Sequence, residues 1–134
     1  MTTFPLADRR AAFRAAAVAF VPELARAPDP VWDRLEATIG QALAARPARM
    51  VRQLRLFVAG LDWLSRLRHG RGLAGLDLER RVAFLQRFER SPALLVRRGV
   101  WGLRTLVFMG YYTQAEVMAT VGYRASPEGW AARR

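Results

Sequence analysis

The sequence predicts an all-α protein, a compact bundle of five or six helices in a single domain. Apolar residues recur at steps of three and four along most of the chain, and no stretch of useful length alternates apolar with polar residues. Gly and Pro separate these stretches, as they do at helix ends. The 134 residues, 52% of them hydrophobic, suffice for one domain with a core but not for two. We therefore expect one helical domain over residues 1–124 and a C-terminal tail over residues 125–134.

Two helices are predicted in the first third of the chain. Asp8 is placed to cap a helix that reaches about residue 25 and bends or ends near Pro22, whose ring removes a backbone donor. Asp29 followed by Pro30 is typical of the cap and first residue of a second helix, which ends before Pro47. The expected inward residues of this second helix are spaced by four: Val31, Leu35, Ile39 and Leu43.

The third helix has the clearest amphipathic pattern, and His69-Gly70 ends it. Its expected inward residues are Met50, Leu54, Phe57, Leu61 and Leu64. The loop that follows carries Gly70, Gly72 and Gly75 in the spacing of a dinucleotide-binding turn. That turn requires a strand before it, and here a helix precedes it, so we expect a plain interhelix loop.

Three more helices are predicted in the second half of the chain. Asp77 is expected to cap the fourth, which stops before Pro92. The fifth runs from about residue 93 to 109 and leads into a turn with two tyrosines, after which Thr113 and Glu116 match a capping box for a short sixth helix. The expected inward residues are Val82, Leu85 and Phe88 on the fourth helix and Val96, Val100, Leu103 and Val107 on the fifth.

The charge of the chain comes from one residue type. All 22 basic residues are Arg, and the formal net charge is +11. Because the guanidinium fork pairs with carboxylates and phosphates and stacks on rings, this surface suits an acidic protein, a phosphate or an anionic membrane. The absence of Cys excludes disulfide bonds and thiol chemistry.

Neither a membrane span nor a clear export signal is predicted. The longest apolar run, residues 94–110, contains Arg97, Arg98 and Arg104, which are too costly at membrane depth. Arg9-Arg10 begins at best a degenerate twin-arginine leader, because Arg14 interrupts the apolar stretch behind it. We expect an amphipathic first helix and a cytoplasmic location, with the periplasm, reached through such a leader or together with a partner, as the alternative.

No combination of residues predicts catalysis or metal binding. With one His and no Cys, the common zinc sites cannot be assembled. Ser65, Ser91 and Ser126 have no His and acid to activate them, and the carboxylates are scattered among arginines. We expect that the chain binds no metal and no cofactor, and that it is not an enzyme on its own.

Arginine clusters leave a second class of function open. One cluster comprises Arg46, Arg49, Arg52 and Arg55, and another comprises Arg66, Arg68 and Arg71. Solvated side chains are the expected interpretation, because no helix-turn-helix spacing accompanies them, and no nucleic-acid partner is expected. An arginine-rich helical protein that binds nucleic acid is the alternative. A peripheral membrane protein held by the basic first helix is a third possibility.

Aromatic residues and arginines mark a candidate protein interface. On the fifth helix, guanidinium groups and rings alternate along one stripe, which permits cation–π stacking worth about 0.5–2 kcal/mol per pair. That stripe either contacts a partner or packs on neighbouring helices. The rings of the C-terminal region favour an interface, because Tyr and Trp suit surfaces that a partner covers in part. The predicted interface residues are Arg97, Trp101, Arg104, Phe108, Tyr111, Tyr112, Tyr123 and Trp130.

Several short segments carry a resemblance to a known family. They are Val21-Pro22, the stretch from Phe84-Leu85 to Ser91-Pro92, Gly102-Leu103-Arg104, Tyr111-Tyr112-Thr113 and Gly122-Tyr123. With these segments the chain resembles the small accessory subunits typified by gluconate 2-dehydrogenase subunit 3, most specifically from about residue 84 onward. Members of that family accompany flavin-dependent oxidoreductases of the glucose-methanol-choline type.

The resemblance implies a function without chemistry in this chain. FAD and the oxidation of an alcohol or sugar would belong to a large partner subunit, and the small subunit would stabilise it or assist its folding or export. No catalytic residue is carried over, since the shared segments are not chemical motifs.

Overall fold

The computed structural model describes residues 4–114, and these form an all-α bundle without strands, so the predicted fold class is confirmed. The helices are α1 (Arg10–Phe20), α2 (Asp29–Ala44), α3 (Ala48–His69), α4 (Leu78–Glu89) and α5 (Leu94–Tyr112). Short 3₁₀ turns at Ala7–Arg9, Pro22–Arg26 and Leu73–Gly75 lie before α1, between α1 and α2 and between α3 and α4. The predicted sixth helix and the tail lie outside the described residues.

One apolar core joins the five helices. α2 packs more extensively on α5 than on any other element, and α1 lies against α4. Gly110 lets α5 approach α2 closely, because a Cβ atom there would lie 3.0 Å from the backbone oxygen of Leu35. Fully buried side chains at the centre are Phe13, Leu35, Ile39, Leu61 and Leu103.

The helix starts confirm one predicted cap and correct two. The Asp77 side chain accepts a hydrogen bond from the Arg80 amide at 2.8 Å, as expected of a cap. Asp29 is the first residue of α2 and Pro28 occupies the cap position, a shift of one residue. Asp8 does not cap α1, because it lies inside a 3₁₀ turn and its carboxylate instead binds Arg55 of α3 at 2.6 Å.

α3 confirms part of the predicted inward stripe, because Leu61 is buried and Leu54 and Phe57 pack against the core. Met50 and Leu64 are exposed, whereas Leu54 and Phe57 are half-buried. Val58 and Ser65, which follow Phe57 and Leu64 in the chain, are fully buried, so the inward side of α3 is rotated slightly from the predicted one. The buried residues of α3 are Val58, Leu61 and Ser65.

α5 is longer than predicted. It continues through Tyr111 and Tyr112, so the paired tyrosines form its last turn and not a turn after it. The Thr113 hydroxyl donates to the Met109 carbonyl at 2.5 Å, so it satisfies one of the carbonyls in the last turn of α5. Its predicted partner in a capping box, Glu116, lies outside the described residues. The predicted inward stripe is confirmed, with Val100, Leu103 and Val107 buried.

Candidate partner interface

The outward side of α5 presents aromatic and aliphatic side chains to solvent. Trp101 is 64% exposed, and Leu94 and Tyr112 lie on the same side of the helix, opposite the buried stripe. Arg97 and Thr105 are exposed between them. We call Leu94, Arg97, Trp101 and Tyr112 the α5 outer face. Large apolar side chains grouped in this way are typical of surfaces that another protein covers.

Arg104 and Phe108 lie at the edge of this face. The guanidinium carbon of Arg104 lies 5.0 Å from the centre of the Phe108 ring, and Arg104 also pairs with Glu89 of α4 at 3.7 Å. Arg97 makes neither kind of contact within residues 4–114, so the cation–π stacking that the stripe permits forms between Arg104 and Phe108 and not at Arg97. Arg104 is therefore partly engaged within the bundle, whereas Arg97 is available to a partner.

The tyrosines at the end of α5 form a ring cluster with Phe108. The Tyr111 and Tyr112 rings lie 5.0 Å apart and the Phe108 and Tyr112 rings 5.8 Å apart, each pair edge to face. Burial raises the pKa of the Tyr111 phenol, and Glu23 and Tyr112 raise it further. Tyr111 is half-buried against the core and Tyr112 faces solvent, so the two differ as candidate contacts.

Gln114, which follows the tyrosines at the end of α5, links that end of the helix to α2 through hydrogen bonds. The buried side chain of Gln114 donates to the carbonyls of Val31 at 3.0 Å and Gly110 at 2.9 Å. These bonds hold the last turn of α5 against the first turn of α2. The two remaining predicted interface residues, Tyr123 and Trp130, lie outside the described residues.

A second exposed apolar surface was missed by the sequence analysis. Leu56, Trp63 and Leu67 of α3 are each at least 60% exposed and recur at steps of seven and four, opposite the buried stripe. We call these three residues the α3 outer face. Their spacing is visible in the sequence, where only the expected inward residues of α3 were assigned.

The first arginine cluster lies at the start of α3. Arg46, Arg49 and Arg52 are exposed, and none of them pairs with a carboxylate in the part of the chain that the structure describes. Together with Arg55, which binds Asp8, two of them line a groove of about 480 Å³ between α2 and α3.

The buried polar groups serve the fold. Glu36, which is buried in α2, accepts hydrogen bonds from Arg10 at 3.1 Å and from Arg14 at 3.0 Å. Arg81 donates to the carbonyls of Leu73, Ala15 and Leu76 at 3.0, 3.3 and 2.7 Å. These hydrogen bonds join α1 to α2, and α4 to α1 and to the turn before α4.

Three sequence features that could suggest chemistry have structural roles. Ser65 is buried and donates to the Arg71 carbonyl at 2.7 Å. His69 ends α3 with its ring against Phe84 at 5.9 Å. The glycine loop joins α3 to α4 through a left-handed Gly70 with φ of 74°, a conformation that is common after helix ends and that glycine adopts readily. Within residues 4–114, no three His, Asp or Glu side chains are grouped to hold a metal ion.

Among the helices described, none is long and apolar enough to cross a membrane. The chain matches no known family model, no curated protein and no solved structure.

Proposed function

We propose that this chain is a non-catalytic small subunit that binds a large FAD-dependent oxidoreductase of the glucose-methanol-choline type. It would stabilise that partner or assist its folding or export. The chain itself would supply no cofactor and no reacting group, and the partner would oxidise the alcohol or sugar. The α5 outer face would supply the main contact.

The exposure of Trp101 carries the proposal of a protein interface. Burying a side chain of this size in a partner gains roughly 1.5–3 kcal/mol from the apolar area removed from water. Arg97 lies one turn away on the same face, and Trp and Arg are the residue types most enriched at the centres of interfaces. A helical protein with this face, and with no grouped metal-binding side chains within residues 4–114, is suited to bind a partner.

The resemblance of the sequence segments is what names the partner. Two of them, Gly102-Leu103-Arg104 and Tyr111-Tyr112-Thr113, lie on α5 or directly after it. Leu103 serves the core, whereas Arg104 and Tyr112 reach the surface. If these segments are shared because they bind the partner, each helix that carries them should combine residues that pack in the core with residues that reach the surface. We place the complex in the cytoplasm, with export together with the partner as the alternative.

Capture from the native host tests the proposal. The tagged chain should retain a large protein whose absorbance spectrum shows a bound flavin, and it should slow the thermal inactivation of that protein. Trp101→Ser should weaken capture by about 30-fold, as expected for a residue at the centre of an interface. Arg49→Gln is the matched control, because Arg49 is exposed in the other arginine cluster and should leave capture unchanged.

The proposal fails if the captured proteins carry no flavin, or if Trp101→Ser and Arg49→Gln reduce capture equally. It also fails if the chain alone oxidises alcohols or sugars.

The exposed cluster of Arg46, Arg49 and Arg52 supports nucleic-acid binding as a second candidate function. It predicts retardation of labelled duplex or single strands at low salt, with log affinity falling linearly with log salt concentration. Replacing these three arginines with Gln should flatten that slope by about two to three units. Absence of a shift at low salt removes this candidate.

A further inference from the structure

A groove with an apolar floor and a basic rim lies between α3 and α4. Its volume is about 490 Å³, and its floor contains Leu64 and Leu67 of α3 and Phe88 of α4. Leu67 is 64% exposed and Leu64 is also exposed, so the floor opens to the surface. The Phe88 ring packs edge to face against the Phe84 ring, with 4.9 Å between the ring centres. The floor is therefore a defined apolar surface that other helices of the bundle leave uncovered.

Three arginines line the same groove: Arg68, Arg87 and Arg90. They come from the end of α3, the last turn of α4 and the residue that ends α4. No carboxylate between residues 4 and 114 pairs with any of them, and Glu89, the carboxylate next in sequence to Arg90, instead pairs with Arg104 of α5. The rim consequently presents three cations that lack anionic partners within the described part of the chain.

We propose that this groove binds an amphipathic helix of a partner protein, with apolar residues on one side and carboxylates at its edges. Leucine or phenylalanine side chains at steps of three and four would fill the floor, and the flanking carboxylates would pair with the guanidinium forks. Charge complementarity selects this occupant, because a chain of formal net charge +11 repels basic helices. The inference is independent of the proposed flavoprotein, since it concerns a different face and requires no redox chemistry.

The floor distinguishes this occupant from a polyanion. Phosphate groups of a nucleic acid would also pair with the arginines, but they would leave Leu64 and Leu67 without partners. A helix uses both parts of the groove. Affinity for the right ligand should therefore depend on Leu67 as well as on Arg87.

Calorimetric titration with a synthetic helix tests the proposal. The probe is a helical peptide of about two turns, with leucines on one side and glutamates beside them. A lactam bridge keeps a peptide this short helical. Leu67→Ser and Arg87→Gln should each weaken its binding to the full-length chain by about tenfold. A probe with glutamines in place of its glutamates should bind more weakly and lose its dependence on salt.

A matched variant on the same helix serves as the control. Leu56 is 66% exposed, nearly as much as Leu67, but it lies eleven residues away, which is about 16 Å along α3, and does not line the groove. Leu56→Ser should leave the affinity unchanged. Since all three substituted side chains are exposed, circular dichroism should show that every variant folds like the unsubstituted chain.

Several results would overturn the proposal. One is that no form of the chain binds the peptide, and another is that the Leu67→Ser and Leu56→Ser variants bind it equally. A polyphosphate that binds with the same arginine dependence while the peptide does not would identify a polyanion site. Self-association of the chain that Leu67→Ser abolishes would make a second copy the occupant. By contrast, failure of flavoprotein capture while the peptide binds would contradict the proposed function and leave the groove proposal supported.

Discussion

Arginine is used in two different ways on two sides of this molecule. Where α1 meets α2 and α4, the guanidinium groups of Arg14 and Arg81 are bonded to groups of the same chain. Along the α5 outer face and the groove between α3 and α4, Arg97 and Arg87 have no such partner within residues 4–114 and lie beside exposed apolar side chains. The first side holds the bundle together. The second has the composition of a surface that binds something else.

The internal side shows how a cation becomes part of the fold. Arg14 pairs with the buried Glu36 at 2.9 Å and lies over the Trp32 ring at 4.8 Å. Arg81 satisfies three backbone carbonyls, and burial lowers the pKa of its guanidinium, which still stays charged at neutral pH. Both side chains therefore bind groups of the same chain and are not available to a partner.

Substitution of Trp32 and of Trp101 should give the largest difference in the free energy of unfolding between the two sides. Trp32→Ala should lower the free energy of unfolding by about 3–5 kcal/mol, because Trp32 is buried in the core. Trp101→Ala should change it by less than about 0.5 kcal/mol, because its side chain is already in water. Urea unfolding followed by circular dichroism measures both. Equal losses would show that the α5 outer face is part of the core.

Removal of a guanidinium group sharpens the comparison. Arg81→Met should lower the free energy of unfolding by about 2–4 kcal/mol, because three carbonyls lose their donor. Arg87→Met, on the same helix and exposed, should cost less than about 0.5 kcal/mol. Urea midpoints at unchanged slope give the two values. A costly Arg87→Met would assign that residue a structural role and weaken the groove proposal.

Two glycines of α5 offer a smaller contrast along one helix. Gly110→Ala should cost about 1–3 kcal/mol, because the added methyl group meets the α2 backbone at Leu35. Gly102→Ala should instead stabilise by up to about 1 kcal/mol, since nothing lies near its Cβ position and Ala favours helix. Thermal unfolding of both variants tests this. Destabilisation by Gly102→Ala would indicate that the exposed side of α5 is packed after all.

The smallest expected effect concerns the alkaline limb of stability. Because the pKa of Tyr111 is raised in the folded chain, the contribution of its neutral phenol to the free energy of unfolding is complete below the unfolded pKa of about 10. It is lost as pH rises through the raised pKa of the folded chain. Tyr111→Phe should remove this loss, and Tyr112→Phe should retain it. Urea midpoints at neutral and alkaline pH measure the difference. Identical alkaline losses in both variants would contradict the burial of Tyr111.

The helical fold could be predicted because local signals agree with it. Asp77 caps α4, Gly70 ends α3, and Leu35, Ile39 and Leu43 are buried in α2 as their spacing indicates. The inward side of α3 could be predicted only in part, since packing against the other helices buries Val58 and Ser65 and leaves Leu64 exposed, which spacing within α3 does not specify. Asp8 shows the other limit, because its partner Arg55 lies 47 residues away in the chain and no local pattern reveals the pair.

The candidate interface was predictable only in part. The alternation of Arg and aromatic residues singled out Arg97 and Trp101, which are exposed, as is Tyr112 from the predicted tyrosine group, whereas Leu94 was not predicted. The same pattern could not show that Arg104 would pair with Glu89, nor that Phe108 and Tyr111 would be half-buried. The groove between α3 and α4 depends on how two helices meet, which residue spacing within each helix does not specify.

The unequal surroundings of the indole rings give the protein a built-in optical reporter. Trp32 is buried and should emit at shorter wavelength than Trp63 and Trp101, which are exposed on α3 and α5 respectively, while Trp130 lies outside the described residues. Unfolding should therefore shift the short-wavelength component, and a ligand that covers an outer face should shield one long-wavelength component from a soluble quencher. Replacing Trp63 or Trp101 with Phe would reveal which side of the bundle has been occupied, without any label.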